Sequence, residues 1–581
     1  MKLNLSYFRI ILLFFISFIA GKNFGQGTFA PLTAPTNSNG GTAILLSDGS
    51  VIIKTESGGG DGIGNIWDKL TPSASGSYLN GTWSTIAPMS LTRLYFSSQV
   101  LKDGRVYVIG GEYGTGYGNK VGDVYNPLTN TWIQTPLPGN TVSDANSEIL
   151  PDGRVLQALV DGNLRGNAIY DPLTNTYANG PQCLGIHNES AWMKLPDNSV
   201  LMVDRNSTNS ERYIPSLNQW VADGNVPVSL YDPWGYETGS ALLLPDGRAF
   251  FIGSLGFNAF YTPSGTASPG VWSAAATLPN NTGTPDAAMA MMVNGKILCA
   301  VSPAPTGPNN IFDPPTSFYI FDPVANTFTS INAPNNATNL FEPCYDVNMV
   351  DLPDGSVLMC QQDSNHYYVY TPVGSPQNAW RPVVNNIITN PNCLSFTITG
   401  TQFNGISEGA SYGDDFQMNT NFPIVRLKNG SNVYYCRSFN WNSTGVQRGN
   451  APDTATFTLP TGLPNATYQL EVVANGIASL PVSFTPCFPV GITRDPPDVM
   501  NLNVFPNPAS DEVFVSFDSK VSEAYSILLV DVLGRRVKEL NGNALPGKNS
   551  CRFDVKVLDR GIYSVLVQKG NVSFRSKLVL N

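Results

Sequence analysis

Seven times between residues 45 and 360 an apolar stretch runs into a turn centred on Asp-Gly or a close relative, then out into a second apolar stretch. The segments read LLSDGSVII, VLKDGRVYVIGG, ILPDGRVLQAL, KLPDNSVLMV, LLPDGRAFFIG, MVNGKILCAV and DLPDGSVLMC. Asp-Gly and Asn-Gly accept the positive φ values of a two-residue turn whose twist matches the flanking strands, so each segment predicts a β-hairpin. The turn residues Asp48, Asp103, Asp152, Asp197, Asp246, Asn294 and Asp354 recur every 45–60 residues, the spacing of four-stranded propeller blades.

A second element follows in the same phase: an aromatic strand end, a Pro-containing turn and another aromatic. The pairs are Tyr125 and Trp132, Tyr170 and Tyr177, Tyr213 and Trp220, Tyr261 and Trp272, Phe321 and Phe328, and Tyr370 and Trp380, with Trp67 and Trp83 a looser first copy. Two hairpins per period give four strands, and the aromatics are expected to fill the wedge between neighbouring sheets. An all-β, seven-bladed β-propeller is therefore expected over residues 27–382.

From residue 383 a new alternation begins, in CLSFTITGTQF, NFPIVRLKNG, VYYCRSFNW, TATFTLP and YQLEVVANG, and predicts a β-sandwich over 383–486. Between its first two strands, GISEGASYGDDFQMNT reads as a polar loop long enough to reach a neighbouring domain. The paired prolines of CFPVGITRDPPDVMN predict a linker over 487–501, and alternation over 502–581 predicts a small C-terminal β-sandwich.

These residues carry resemblances. MSLTRLYFSSQVLKDGRVYVIGGE, residues 89–112, resembles the kelch motif. A kelch-type propeller ahead of an immunoglobulin-like domain is similar to the galactose oxidase family, whose closing domain is of the early-set type. The C-terminal module resembles the sorting domain of type IX secretion substrates in Pro506-Asn507-Pro508, the Leu533-Gly534-Arg535 turn, Gly561-Ile562-Tyr563 and Lys577-Leu578-Val579. That likeness implies the type IX secretion machinery as a partner and a secreted or cell-surface location.

The N-terminus agrees with export. Lys2 and Arg9 precede an apolar run over residues 10–20, broken only by Ser17, which is too short to span a bilayer and matches a secretory h-region. Residues 1–26 are expected to be a signal peptide. No cysteine precedes Cys183, which excludes a lipid-anchored N-terminus, and no later stretch suggests a transmembrane segment in the mature chain. With 43 acidic against 33 basic side chains and no basic cluster, nucleic acid is excluded as a partner. None of the eight cysteines shows the CxxC spacing of a zinc site, and Cys393 and Cys487 bracket the second domain as a candidate disulfide.

The galactose oxidase likeness implies a copper site built from a Cys–Tyr crosslink, a second Tyr and two His. Tyr95 matches the crosslinked Tyr, but the partner Cys expected among residues 39–41 is absent. The family's Tyr-His pair stands here as Tyr345-Asp346, and the final His expected among residues 414–421 is missing. The two histidines, His187 and His366, lie elsewhere and read as hydrogen-bonding and packing residues. Copper is disfavoured and no cofactor is assigned.

Counting back eight residues from each turn Asp or Asn reaches the start of each innermost strand: Gly40, Tyr95, Asp144, Glu189, Thr238, Asp286 and Asp346, with Glu237 beside Thr238. These positions are expected to ring one mouth of the central channel, joined from above by Tyr412, Asp414 and Asp415. Gathered carboxylates either hold a proton at raised pKa or are neutralised by a cation such as Ca²⁺. The leading expectation is an extracellular glycan-binding propeller without copper oxidase activity, its site formed with Tyr345 and the mouth residues. Three alternatives stay open: a carbohydrate-active hydrolase or lyase using the mouth carboxylates, a divergent copper oxidase, and an adhesion protein.

Overall fold

The computed structural model describes residues 26–33, 39–55, 63–115, 120–143, 145–160, 164–362, 364–413, 416–488, 502–519, 521–532, 534–569 and 572–581. The signal-peptide run and most of the linker lie outside the described residues.

Six four-stranded antiparallel sheets, and the four strands between Met289 and Ile331 that belong to a seven-stranded sheet, succeed one another as the blades of a propeller do. Their first strands, Ala43–Leu45, Ser97–Val100, Ser147–Ile149, Trp192–Lys194, Ala241–Leu243, Met289–Met291 and Val347–Asp351, are fully buried. Blade 7 takes its outer strand, Thr28–Leu32, from the beginning of the chain, where Thr28 pairs with Thr371 and Leu32 with Tyr367. This fastens the last sheet to the segment that leads into the first.

The Asp-Gly turns differ from the two-residue expectation. Gly49 donates to the Leu46 carbonyl at 2.9 Å and Leu46 donates to the Ser50 carbonyl at 2.8 Å, the pattern of a type I turn followed by a left-handed residue; the other six hairpins repeat it. The Asp48 carboxylate accepts the Ser50 N–H at 3.0 Å, so the acidic side chain closes its own turn and only the next residue takes a positive φ, 68–94° across the seven copies. Asp or Asn is needed for that bond and Gly or Asn for that φ, which accounts for the repeated dipeptide.

The aromatics fill the wedges as expected. Within blades, Tyr125 meets Trp132 at 4.9 Å and Phe321 meets Phe328 at 4.5 Å; between blades, Tyr107 stacks on Tyr170 at 4.8 Å and Phe250 on Phe321 at 4.4 Å. Blade 7 departs from the expected pair. Tyr370 packs on Phe29 at 4.7 Å, because the N-terminal strand supplies the outer position, and Trp380 lies in a separate helical turn against Gly295.

The following segment forms an antiparallel β-structure in which Val383–Thr389, Phe396–Thr401, Asp453–Thr458, Asn432–Phe439, Ile424–Asn429 and Tyr468–Ala474 are successive neighbours. It rests on the turn side of the propeller: Ser438 donates to the Ser47 carbonyl at 3.2 Å, Trp441 to Lys102 at 3.3 Å, and Gln447 to Leu244 at 2.6 Å. Gly409–Tyr412 pairs with Phe416–Asn419 as the two strands of a hairpin, where a loop was expected. Its first strand also pairs with blade 6, Met289 opposite Ser411 and Ala290 opposite Ala410. The hairpin therefore lies along the inner strands and approaches the opposite mouth from within the channel, which corrects the expectation that this segment would cover the mouth from above.

The C-terminal module is a separate compact unit that includes residues 391–394. A three-stranded and a four-stranded sheet enclose a core containing Val513, Val515, Phe517, Ile527, Leu529 and Val565. Asn507 ties the Pro-Asn-Pro stretch to the last strand, donating to the Lys577 carbonyl at 2.6 Å and accepting from the Val579 N–H at 2.9 Å. Cys393 and Cys487 are joined by a disulfide.

Candidate functional site

The mouth residues come from the short segments that lead into the inner strands. In blade 2, Arg93–Leu94 pairs with Tyr113–Gly114, and Glu112 donates its N–H to the Tyr95 carbonyl at 3.1 Å, so the double-glycine segment after the hairpin folds back beside Tyr95. Leading into blade 5, the Asp232 carboxylate accepts N–H groups from Trp234 and Gly235, both at 2.8 Å, and from Glu237 at 2.9 Å. This closed loop fixes Glu237. Tyr345 stands in the helical turn Cys344–Asp346, held by the Cys344 N–H donating to Ser302 Oγ at 2.9 Å.

Tyr95, Glu189 and Asp286, at the same register position of blades 2, 4 and 6, have φ values of 51°, 55° and 51°. For side chains carrying a Cβ this left-handed conformation costs about 1–3 kcal/mol each, and it recurs where surrounding structure enforces it. Blade-to-blade hydrogen bonds supply that enforcement: Thr238 Oγ1 donates to the Glu189 carbonyl at 3.0 Å, and the Asp286 N–H donates to the Thr238 carbonyl at 2.9 Å. On the other side of the ring, the Gln362 N–H donates to the Asp346 carbonyl at 2.6 Å and its amide donates to the Tyr95 hydroxyl at 3.1 Å.

These segments enclose a cavity of 280 Å³. Of the residues chosen from the sequence, Tyr95, Glu189, Glu237, Asp286 and Tyr345 line it. Asp346 acts on it through charge: burial first, then Asp286, and more weakly Tyr345 and Asp346, push the Tyr95 phenol well above its usual range, so it stays protonated. Tyr412 lies on the inserted hairpin. Asp144, Asp414 and Asp415 lie outside the described residues.

Sequence reasoning missed Glu112, Tyr113 and Phe312, which also line the cavity. Two aromatic pairs result, Tyr95 edge-on to Tyr113 at 6.0 Å and Phe312 edge-on to Tyr345 at 5.0 Å. It also missed Arg205, whose guanidinium lies 4.0 Å from Glu189 and 5.0 Å above the Tyr236 ring. Glu112 follows the Gly-Gly of the kelch-like segment and could have been found from it. Phe312 and Arg205 lie on connecting segments with no counterpart in the other repeats.

The residues do not fit the copper centre implied by the galactose oxidase likeness. At the position of the crosslinking Cys, a Cβ on Gly40 would lie 2.5 Å from the Gln361 carbonyl oxygen, and one on Gly41 would lie 2.7 Å from that of Lys54. At both glycines a cysteine would meet backbone oxygen before its sulfur could reach Tyr95. His187 is buried, 3.4 Å from the Leu159 carbonyl and 3.5 Å from Cys183 Sγ, and His366 lies 3.4 Å from Gln361 Oε1; neither lines the cavity. Among the described residues, no three His, Cys, Asp or Glu side chains converge closely enough to hold a metal ion.

Comparison with known proteins places these features. Residues 503–581 match the secretion system C-terminal sorting domain and residues 99–136 the kelch motif. The chain is 31% identical over 108 residues to the spermatocyte protein spe-26 of Caenorhabditis elegans, covering 16% of this chain and 18% of that protein. It is 40% identical over 55 residues to galactose oxidase of Gibberella zeae, covering 10% of this chain and 8% of that protein. The matches thus span less than a fifth of either relative. Among solved structures, a fungal alcohol oxidase of the AA5 family in complex with copper aligns over 80% of this chain and 100% of its own, with a TM-score of 0.50 at 14% identity, a likeness of fold alone. No helix among the described residues is long and apolar enough to cross a membrane. The chain carries a kelch motif and a type IX secretion C-terminal sorting domain, which indicates a secreted or cell-surface protein, on a fold shared with a galactose oxidase-like structure.

Proposed function

We propose that this protein binds an extracellular glycan in the mouth cavity of a seven-bladed propeller, without copper oxidase chemistry. One observation carries the reading: side chains from six blades and their connecting segments converge on one 280 Å³ cavity that presents carboxylates beside aromatic rings. Carboxylates accept hydrogen bonds from sugar hydroxyls, and ring faces pack on the C–H faces of a pyranose. The immunoglobulin-like segment, residues 383–486 in this reading, supports the propeller from the opposite side and brings its hairpin tip, Gly413, up against Asp286 from within the channel. A glycan array probed with the purified chain, with and without a chelator, tests the proposal. Binding lost on Glu237→Gln or Asp286→Asn in a folded variant supports it, and Ca²⁺ dependence would identify the bridging ion. Silence on all glycans would defeat it.

A second reading, a glycan hydrolase or lyase, draws on Tyr95. Its hydroxyl shares the cavity with the carboxylates of Asp286, Glu189 and Glu237, the kinds of group that acid–base cleavage draws on. Release of reducing ends by wild type, abolished in Asp286→Asn and Glu189→Gln, would select it.

A further inference from the structure

The charge of the cavity narrows the ligand further. Glu112, Glu189, Glu237 and Asp286 line it, and among the described residues no Lys, Arg or His does. Arg205 lies 4.0 Å from Glu189 and divides its cation between that carboxylate and the Tyr236 ring. A cavity with four acids invites positive charge, yet among the described residues no three of its acids meet in the geometry of a metal site. The acids are spread around a space large enough for a sugar ring, just below the roughly 300–1,000 Å³ of drug-sized ligand sites. Between them stand the Tyr95–Tyr113 and Phe312–Tyr345 pairs, with Tyr113 45% and Phe312 36% exposed. Ring faces attract an ammonium through their quadrupole as well as packing on apolar C–H groups. Carboxylates with aromatic rings match a cation carried on an organic frame better than a bare ion.

Resting on the glycan reading above, we infer that the cavity selects a sugar bearing a free, protonated amino group: a hexosamine unit of a de-N-acetylated glycan. The ammonium donates to the carboxylates on the Glu237 and Asp286 side while the pyranose lies against the exposed Tyr113 and Phe312 rings. N-acetylation removes the charge and two donors and adds bulk, so the acetylated unit is discriminated against. A charge-assisted contact of this kind is worth about tenfold or more in affinity.

The test is calorimetric titration of the full mature chain with a glucosamine oligosaccharide, its N-acetylated counterpart, a neutral glucose oligosaccharide of the same length, and a lysine-containing peptide, each with and without chelator. The expected result is at least about tenfold tighter binding of the glucosamine oligomer than of the other two glycans. That preference should be insensitive to chelator and should vanish as the pH is raised until the amine is neutral. Glu237→Gln and Asp286→Asn should each reduce the preference while their melting curves report folding. Equal or tighter binding of the acetylated or neutral oligomer overturns the inference and leaves glycan binding standing, as does chelator-sensitive binding of a neutral sugar. Binding of the peptide alone overturns both, as does no binding at all; the wild-type comparisons decide the matter even if a variant misfolds.

Discussion

Lys194 on blade 4 and Glu408, the residue that leads into the inserted hairpin, meet at 3.2 Å with both side chains fully buried, and the same ammonium lies 2.8 Å from Glu148 on blade 3. One cation thus joins two blades to the hairpin inside the channel. The arrangement is costly to assemble but costlier to break, because removing one partner leaves the others charged or neutral without compensation in a low-dielectric interior. Lys194→Met is expected to destabilise the propeller by about 3–5 kcal/mol. Urea denaturation with a midpoint near wild type would show that the triad contributes nothing.

The triad also makes stability depend on pH. Burial and the adjacent Glu408 charge raise the Glu148 carboxyl well above the ordinary carboxylate range, although Lys194 and its own hydrogen bonds pull it down. A group whose folded pKa exceeds its unfolded value, about 4.3 for Glu, stabilises fully below that value. The contribution then declines as pH climbs toward the raised folded value. Stability from this group is thus expected to fall between about pH 5 and about pH 8, and Glu148→Gln should flatten that limb. Urea midpoints of wild type and variant across the window check it; parallel profiles would remove Glu148 as the cause.

Tyr95, Glu189 and Asp286 were legible because the hairpin repeats without slippage: a fixed count back from Asp103, Asp197 and Asn294 reaches the same register position three times. Glu112 and Phe312 were not, since they enter from segments whose length varies from blade to blade and carry no phase. The closing strand Thr28–Leu32 was equally silent, because its partner lies at the far end of the repeat. The inserted hairpin was read as a loop for a similar reason. Its strands Gly409–Tyr412 and Phe416–Asn419 are four residues each, the first opening on a glycine, and what holds the first in place is blade 6, far upstream in the chain. Local pattern reports period and turn chemistry; it does not report a partner supplied from a distance.

Cysteine pairing offers a direct chemical check. Of eight cysteines, Cys393 and Cys487 form a disulfide and the other six are buried thiols. Titration with a thiol reagent is expected to be nearly silent on native protein. It should give six thiols in denaturant without reductant and eight after reduction. Four thiols in the unreduced denatured chain would reveal a second disulfide.

Gly413, at the tip of the inserted hairpin, links the channel to the mouth. Its φ is 49°, and a Cβ added there would lie 1.7 Å from Asp286 Oδ1, so any larger residue must displace the tip, the carboxylate or both. Asp286 is itself in the left-handed region and bonded through its backbone to Thr238, which leaves it little room to retreat. Gly413→Ala is therefore expected to weaken binding at the mouth, by about tenfold if the Asp286 carboxylate loses its charge-assisted contact with ligand. Its effect on global stability should be smaller than that of Lys194→Met, since the tip carries none of the buried ion triad. Calorimetric titration alongside a urea melt separates the two effects. Unchanged affinity in a folded Gly413→Ala protein would show that the hairpin tip does not position Asp286 for binding.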